Sequence, residues 1–314
     1  MKLFYPENRI PVFISILLFG TFPIHAQQKN LAEKLGYTPD AKLLIIHADD
    51  AGVSHATNQA IFDAFEKGLI SSTAIMVPCP WFPEMADFVV RNPEYDYGLH
   101  LTFTSEWYTY KWGGISPAGQ IPSLLDDQRY FYLTTEAAVE HALPEEVEIE
   151  MRAQIEKALA AGINPSHLDS HMLPHYGSLE LFKIYLKLGE EYRIPVLIPK
   201  NYLDTREDFL IPELENHIVI DEIYEATPDI NPDEWSQYYT NILQNLKPGI
   251  NELILHLAYD TEETRAMTRG HGFYDVTWRQ RDVDFIMNSE FQKILKKNHI
   301  QLITWRQIQQ LLYP

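Results

Sequence analysis

The chain has 314 residues, 46% of them hydrophobic, and a formal net charge of −19. That length suits one large domain with a real core, and the acidity argues against nucleic acid and anionic lipid as partners. Cys79 is the single cysteine, which excludes an internal disulfide and argues against cysteine-based metal or thiol chemistry.

The N-terminus reads as an export signal over residues 1–26. Lys2 and Arg9 make a basic start, an apolar run extends from Ile10 to Pro23, and Ala26 offers a cleavage point before Gln27. The run is shorter than the roughly 20 residues of a spanning helix, and no later segment looks membrane-spanning. The expected mature chain, residues 27–314, is periplasmic or extracellular. Because the signal carries a net charge of +1, its removal takes the formal charge to −20.

Strand and helix patterns then alternate. Leu43–Ala48 is an apolar run of strand length. Ala56–Lys67 places Ala60, Ile61, Ala64 and Phe65 on one helical face, with Gly68 as the stop. Ser72–Val77 and Tyr97–Phe103 read as strands flanking a helix over Trp81–Arg91. Pro144 opens a long helix in which Val147, Met151, Ile155 and Leu159 recur every four residues, ending at Gly162. Strands follow at His167–His171, Pro195–Ile198, His217–Asp221, Glu252–Leu257 and Ile300–Thr304. The intervening helices fall near Leu179–Tyr192, Asp233–Leu246, Arg281–Lys296 and Arg306–Leu312. The alternation implies a mostly parallel sheet, and the number of units predicts a single distorted TIM-like (β/α) barrel of seven or eight strands. A segment at about 105–133, rich in aromatics that include Trp107 and Trp112, is too long for an ordinary connection. Its rings are expected either to stack on sugars or simply to pack the loop down.

Titratable residues gather at one end of these strands. His47, Asp49 and Asp50 close the first, His100 lies in the third, His167, Asp169 and His171 in the fourth with His175 just beyond, and His256 ends a late one. In a β/α barrel the carboxyl ends of the strands form the functional face. His167, Asp169 and His171 are spaced by two, so a strand points all three the same way. Imidazoles and a carboxylate are natural ligands of zinc and related divalent ions. Taken alone, His47 and His175 are ordinary histidines, and Asp49-Asp50 is an ordinary helix-start pair. Three strands delivering such groups to one end predict a metal site. His55, His141, His217, His271 and His299 show no such placement.

The blocks His47-Ala-Asp-Asp-Ala-Gly52 with Asn58, Gly98-Leu-His-Leu101 and His167-Leu-Asp-Ser-His171 resemble, in order and spacing over roughly residues 42–305, those of the YdjC-like carbohydrate deacetylases, relatives of the polysaccharide deacetylases. The chain departs from that pattern with Ala51 in place of a Phe and Leu257-Ala258 in place of Pro-Gly. The resemblance implies a distorted barrel, one divalent ion, and removal of acetyl groups from N-acetylated amino sugars or oligosaccharides. It implies Asp50, His100 and His171 as metal ligands and Asp49 as the base. His256 falls where the family carries a late histidine and is the expected general acid, with His175 in reserve. Asp169 is expected to orient a ligand histidine. Arg279 is expected to hold Asp49 or a substrate oxygen, or, as the plainer reading, to be a surface charge. Zinc is the favoured ion, with magnesium, manganese and nickel as alternatives. A carbohydrate O-acetyl esterase and a non-catalytic exported glycan-binding protein are the rival functions. No G-x-S-x-G elbow is present, and the sequence sets neither the glycan nor the oligomeric state.

Overall fold

The computed structural model of the protein describes residues 30–203, 214 and 217–314; the expected export signal lies outside the described residues. Among the described residues seven parallel strands form one sheet: β1 (Lys42–Ala51), β2 (Ser72–Ile75), β3 (Tyr97–Leu101), β4 (Leu168–Ser170), β5 (Glu222–Tyr224), β6 (Gly249–Leu255) and β7 (Ile300–Leu302). The order is β4-β3-β2-β1-β6-β5, with β7 paired to the start of β1. Among the described residues no helix is long and apolar enough to cross a membrane.

The seven strands curl as the expected distorted TIM-like barrel does, but among the described residues the regular ladder is not closed between β4 and β5. The segments expected as strands at 195–198 and 217–221 contribute only the single bridges Leu168↔Val196 and Pro199↔Ile220. Pro195 and Pro199 bracket the first segment and supply no N–H, so a ladder cannot extend through them. The long C-terminal helix expected over 281–296 is two helices, Val276–Met287 and Ser289–Lys297, broken at Asn288, whose side chain caps the second.

Strand alternation builds two cores. Leu44, Ile46 and Ala48 of β1 pack outward among the helices, in a cluster with Ile61, Phe65 and Val89. Leu43 and Ile45 point into the barrel with Leu197, Ile220, Ile250, Ile303 and Trp305. The helix Pro144–Ala160 buries Val147, Met151 and Ile155, but Leu159 is 43% exposed and Ala158 is buried in its stead. A four-residue repeat drifts around a helix of 3.6 residues per turn, so its last member leaves the buried face.

The aromatic segment at 105–133 packs down. Trp107, Trp112, Ile121, Leu124 and Phe131 are buried. Glu150, itself buried, accepts from the backbone N–H groups of Ile115 and Ser116 at 2.8 and 2.9 Å.

Candidate metal centre and active site

The inner face of β1 continues from Leu43 and Ile45 to His47 and Asp49. Strict alternation would send Asp50 to the outer face. Two backbone features turn it back. The register with β2 slips between Ala48 and Ala51, and Asp50 takes φ 66°. Such a left-handed residue costs about 1–2 kcal/mol and needs support. Gly52 follows at φ 91°, its N–H donates to Asn58 Oδ1 at 2.7 Å, and Val53 N–H donates to Asp50 O at 3.1 Å. Asn58 is thus the strut of the turn that aims the second aspartate.

Asp50 Oδ1 lies 3.5 Å from His100 Nε2 and 3.4 Å from His171 Nδ1. Ligand atoms of these three buried residues all fall within 4.8 Å of one another. Asp50 Oδ1 is buried and without a hydrogen bond, whereas Oδ2 accepts from Arg279 Nη2 at 2.6 Å. Although burial opposes it, Arg279 and His171 hold the Asp50 carboxyl well below the usual range. Arg279 is 1% exposed. It is neither a surface charge nor a partner of Asp49: its Nε donates to Tyr274 O, and its guanidinium lies 5.3 Å from the Trp107 ring centroid.

Each of the two histidines is tied on its far side to a carboxylate. His100 Nδ1 pairs with Asp169, and His171 Nε2 is 3.0 Å from Glu106 Oε2. Against the effect of burial, these acids raise both imidazoles, His171 to about 10. Two imidazole nitrogens and an orphaned carboxylate oxygen converging in a field that favours positive charge fit a divalent cation.

Beneath this cluster His47 Nε2 contacts Asp49 Oδ1 at 2.9 Å and Asp169 Oδ2 at 3.3 Å, and His47 Nδ1 lies 3.4 Å from Glu252 Oε1. Burial opposes protonation of His47, but Asp169 and Asp49 raise it well above its ordinary value. Burial pushes Glu252 up to about 7, with His47 opposing.

The strand 167–171 delivers its alternate residues inward at three depths, so they do not form one set. His167 lies deepest, stacked on Trp305 at 5.0 Å and filling the space left by Gly98, where a Cβ would meet the ring at 2.2 Å. Asp169 sits between His47 and His100, and His171 reaches the rim. His175 is enclosed beside Ser170, Phe103 and Tyr185. Burial pulls it down to about 3, and it does not reach the cavity, which removes it as a reserve acid. Trp107 and Trp112 are 1% and 3% exposed, so neither offers a face to a sugar. Trp107 backs Arg279, and Trp112 lies 6.2 Å from His171.

The cluster opens into a cavity of about 700 Å³ lined by Asp49, Asp50, His100, Glu106, His171, Glu225, His256, Tyr274 and apolar groups including Leu173, Ile223 and Phe273. His256 Nε2 is 3.8 Å from Asp49 Oδ2, and its Nδ1 is 3.7 Å from Glu225 Oε1. Burial pulls His256 down to about 4, despite Asp50 and Asp49. Its backbone N–H donates to Asp282 Oδ2 at 2.9 Å. Sequence reasoning missed Glu106, Glu225 and Asp282, and left His271 aside although it lines the cavity. Asp282 carried a signal: with Arg279 it interrupts the apolar face of Val283 and Ile286. Glu106 and Glu225 lie in irregular segments, where no periodicity marks an inward residue.

A family model described as YdjC-like protein matches residues 43–297. The chain belongs to the YdjC-like family. Among its curated relatives, the carbohydrate deacetylase of Thermus thermophilus is 32% identical over 300 residues, spanning 90% of this chain and all of the relative. That of Brevibacillus brevis is 28% identical over 84% of this chain and 99% of the relative. A solved neighbour in fold, a putative cellobiose-phosphate cleavage protein from Enterococcus faecalis V583, has a TM-score of 0.69 at 25% identity; the match covers 85% of this chain and 99% of that one.

Proposed function

We propose that the protein is an exported, metal-dependent carbohydrate deacetylase that hydrolyses the acetamide of N-acetylated amino sugars or oligosaccharides. The observation that carries this reading is the convergence of Asp50, His100 and His171 within 4.8 Å, with Asp49 beside them at the wall of a sugar-sized cavity. The names of the curated relatives support the carbohydrate and the acetyl group. The basic start and apolar run of residues 1–26 support export.

Asp50 Oδ1, His100 Nε2 and His171 Nδ1 would hold the ion. When bound, a divalent ion supplies Lewis acidity, easing deprotonation of a water and polarising the acetyl carbonyl. Two imidazoles favour zinc, and the open carboxylate site admits magnesium, manganese or nickel. Asp49 is the base. His47 engages its Oδ1, leaving Oδ2 toward His256 and the cavity. Asp49 takes a proton from water as the water oxygen bonds to the acetyl carbon. The C–N bond then breaks, and the amine nitrogen takes up the proton, relayed through His256, which is neutral at rest. The products are acetate and a free amino sugar. Asp169 keeps the His100 ring turned toward Asp50.

Acetate release from acetylated chito-oligosaccharides, with and without chelator, tests the proposal. Chelation abolishes release and added zinc restores it; release that survives complete metal removal overturns the metal role. Asp49→Asn retains metal and loses about 10²–10⁴-fold in kcat, whereas His171→Ala loses both. Acetylated esters in the same assay expose an O-acetyl esterase, and glycan binding without acetate exposes a binding protein.

A further inference from the structure

We propose that Glu106 is a positioning residue of this centre, fixing the His171 ring so that Nδ1, and not Nε2, is presented to the ion; the inference rests on the metal site proposed above. Glu106 Oε2 is 3.0 Å from His171 Nε2, on the side of the ring away from Asp50. A neutral imidazole carries one N–H. Donation of that proton from Nε2 to Glu106 leaves the Nδ1 lone pair free, and Nδ1 is the atom 3.4 Å from the unpartnered Asp50 Oδ1. His100 has the opposite arrangement, with Nδ1 on Asp169 and Nε2 toward the same oxygen. The two ligand rings are thus of opposite tautomer, each set by its own carboxylate.

Glu106 is 8% exposed and is held by its neighbours in the chain. Ser105 N–H donates to Tyr132 O at 2.8 Å, and Trp112 N–H donates to Ser105 Oγ at 3.2 Å. Trp112 Nε1 donates to Thr104 O at 2.8 Å, and Lys111 Nζ donates to Ser105 O at 3.2 Å. Trp107, the next residue, is wedged against Arg279. The aromatic segment therefore serves the centre by delivering and immobilising one carboxylate, and its buried indoles are the anchors of that delivery.

Metal affinity, read without turnover, decides the matter. Zinc and cobalt(II) dissociation constants are measured by competition with a chromophoric chelator on the full chain, for the parent, Glu106→Ala and Glu106→Gln, with thermal midpoints as the control for folding. Glu106→Ala weakens binding about 10–100-fold. Glu106→Gln weakens it less, because the amide oxygen still accepts from Nε2. A Glu106→Ala protein that folds and binds within about threefold of the parent overturns the proposal while leaving the deacetylase reading intact. If Glu106 matters for metal but the parent releases no acetate, the positioning role stands and the deacetylase reading falls; a parent that binds no divalent ion overturns both. Where the alanine variant fails to fold, ¹⁵N spectra of the parent titrated with zinc decide: metal-perturbed Nδ1 with protonated Nε2 on His171 supports the proposal, and metal-perturbed Nε2 overturns it.

Discussion

Asp49 and Asp50 are neighbours in sequence with different surroundings. Asp50 faces the guanidinium of Arg279 and two imidazoles, so it stays ionised and anchored. Asp49 meets His47 on one oxygen and the cavity on the other. A pH-dependent contact that faces the cavity lies one step further out. Desolvation at the cavity wall, where the Glu225 side chain keeps 34% of its surface exposed, pushes the carboxyl up to about 7, with Tyr274 donating to it at 2.8 Å in opposition and Asp49 reinforcing the rise. Below about 7 Glu225 is protonated and gives no charge to stabilise a proton passing through His256. Above it, the carboxylate faces Nδ1. The expected outcome is a kcat/KM that falls as pH drops through about 7, and a Glu225→Gln protein that is slower near neutrality and lacks this limb. A profile that keeps the limb in Glu225→Gln assigns it to another group.

At the scale of elements, the strand ends position the site and the aromatic segment closes around it. β3 and β4 pair with His100 opposite Asp169, so a sheet register sets one of the two carboxylate–imidazole contacts. The other depends on the segment at 105–133, which shares the main core through Trp107, Trp112 and Phe131. Phe131 is fully buried and its backbone N–H donates to Trp112 O at 3.1 Å. Phe131→Ala is expected to lower the unfolding free energy by about 3–5 kcal/mol, with one cooperative transition in urea followed by fluorescence and circular dichroism. Two separated transitions would show the segment to be an independent lid, against the packing described here. The gap between β4 and β5 is also an element-scale effect, because two prolines withhold the donors that a further strand requires.

On the scale of the whole molecule, a formal charge of −19 accompanies a cavity whose wall carries Asp49, Asp50, Glu106 and Glu225. Arg279 also lines it but is engaged by Asp50. Such a field repels anions. Acetate release from a neutral acetylated oligosaccharide is expected to exceed that from its phosphorylated counterpart by about tenfold in kcat/KM at low ionic strength, and the ratio narrows as salt shortens the screening length. Equal rates at low salt would contradict this expectation.

Several features were legible in the order of residues alone. The alternation of apolar runs with amphipathic helices marked a parallel α/β sheet, since each element must bury one face. The carboxyl ends of the strands marked where His47, Asp49, Asp50, His100, His171 and His256 gather. Those features are local in the chain, or follow from the handedness and period of its elements. Three things were decided only in the fold. Asp50 turns inward because a register slip and a left-handed backbone override the period of two. Residues 167, 169 and 171 share a direction but lie at different depths, which separates His167 from the rim. Glu106 and Glu225 reach the centre from irregular segments, and Arg279 is neutralised by Asp50. Such contacts join residues far apart in the chain, and only the closing of the sheet and the packing of its connections bring them within hydrogen-bonding distance.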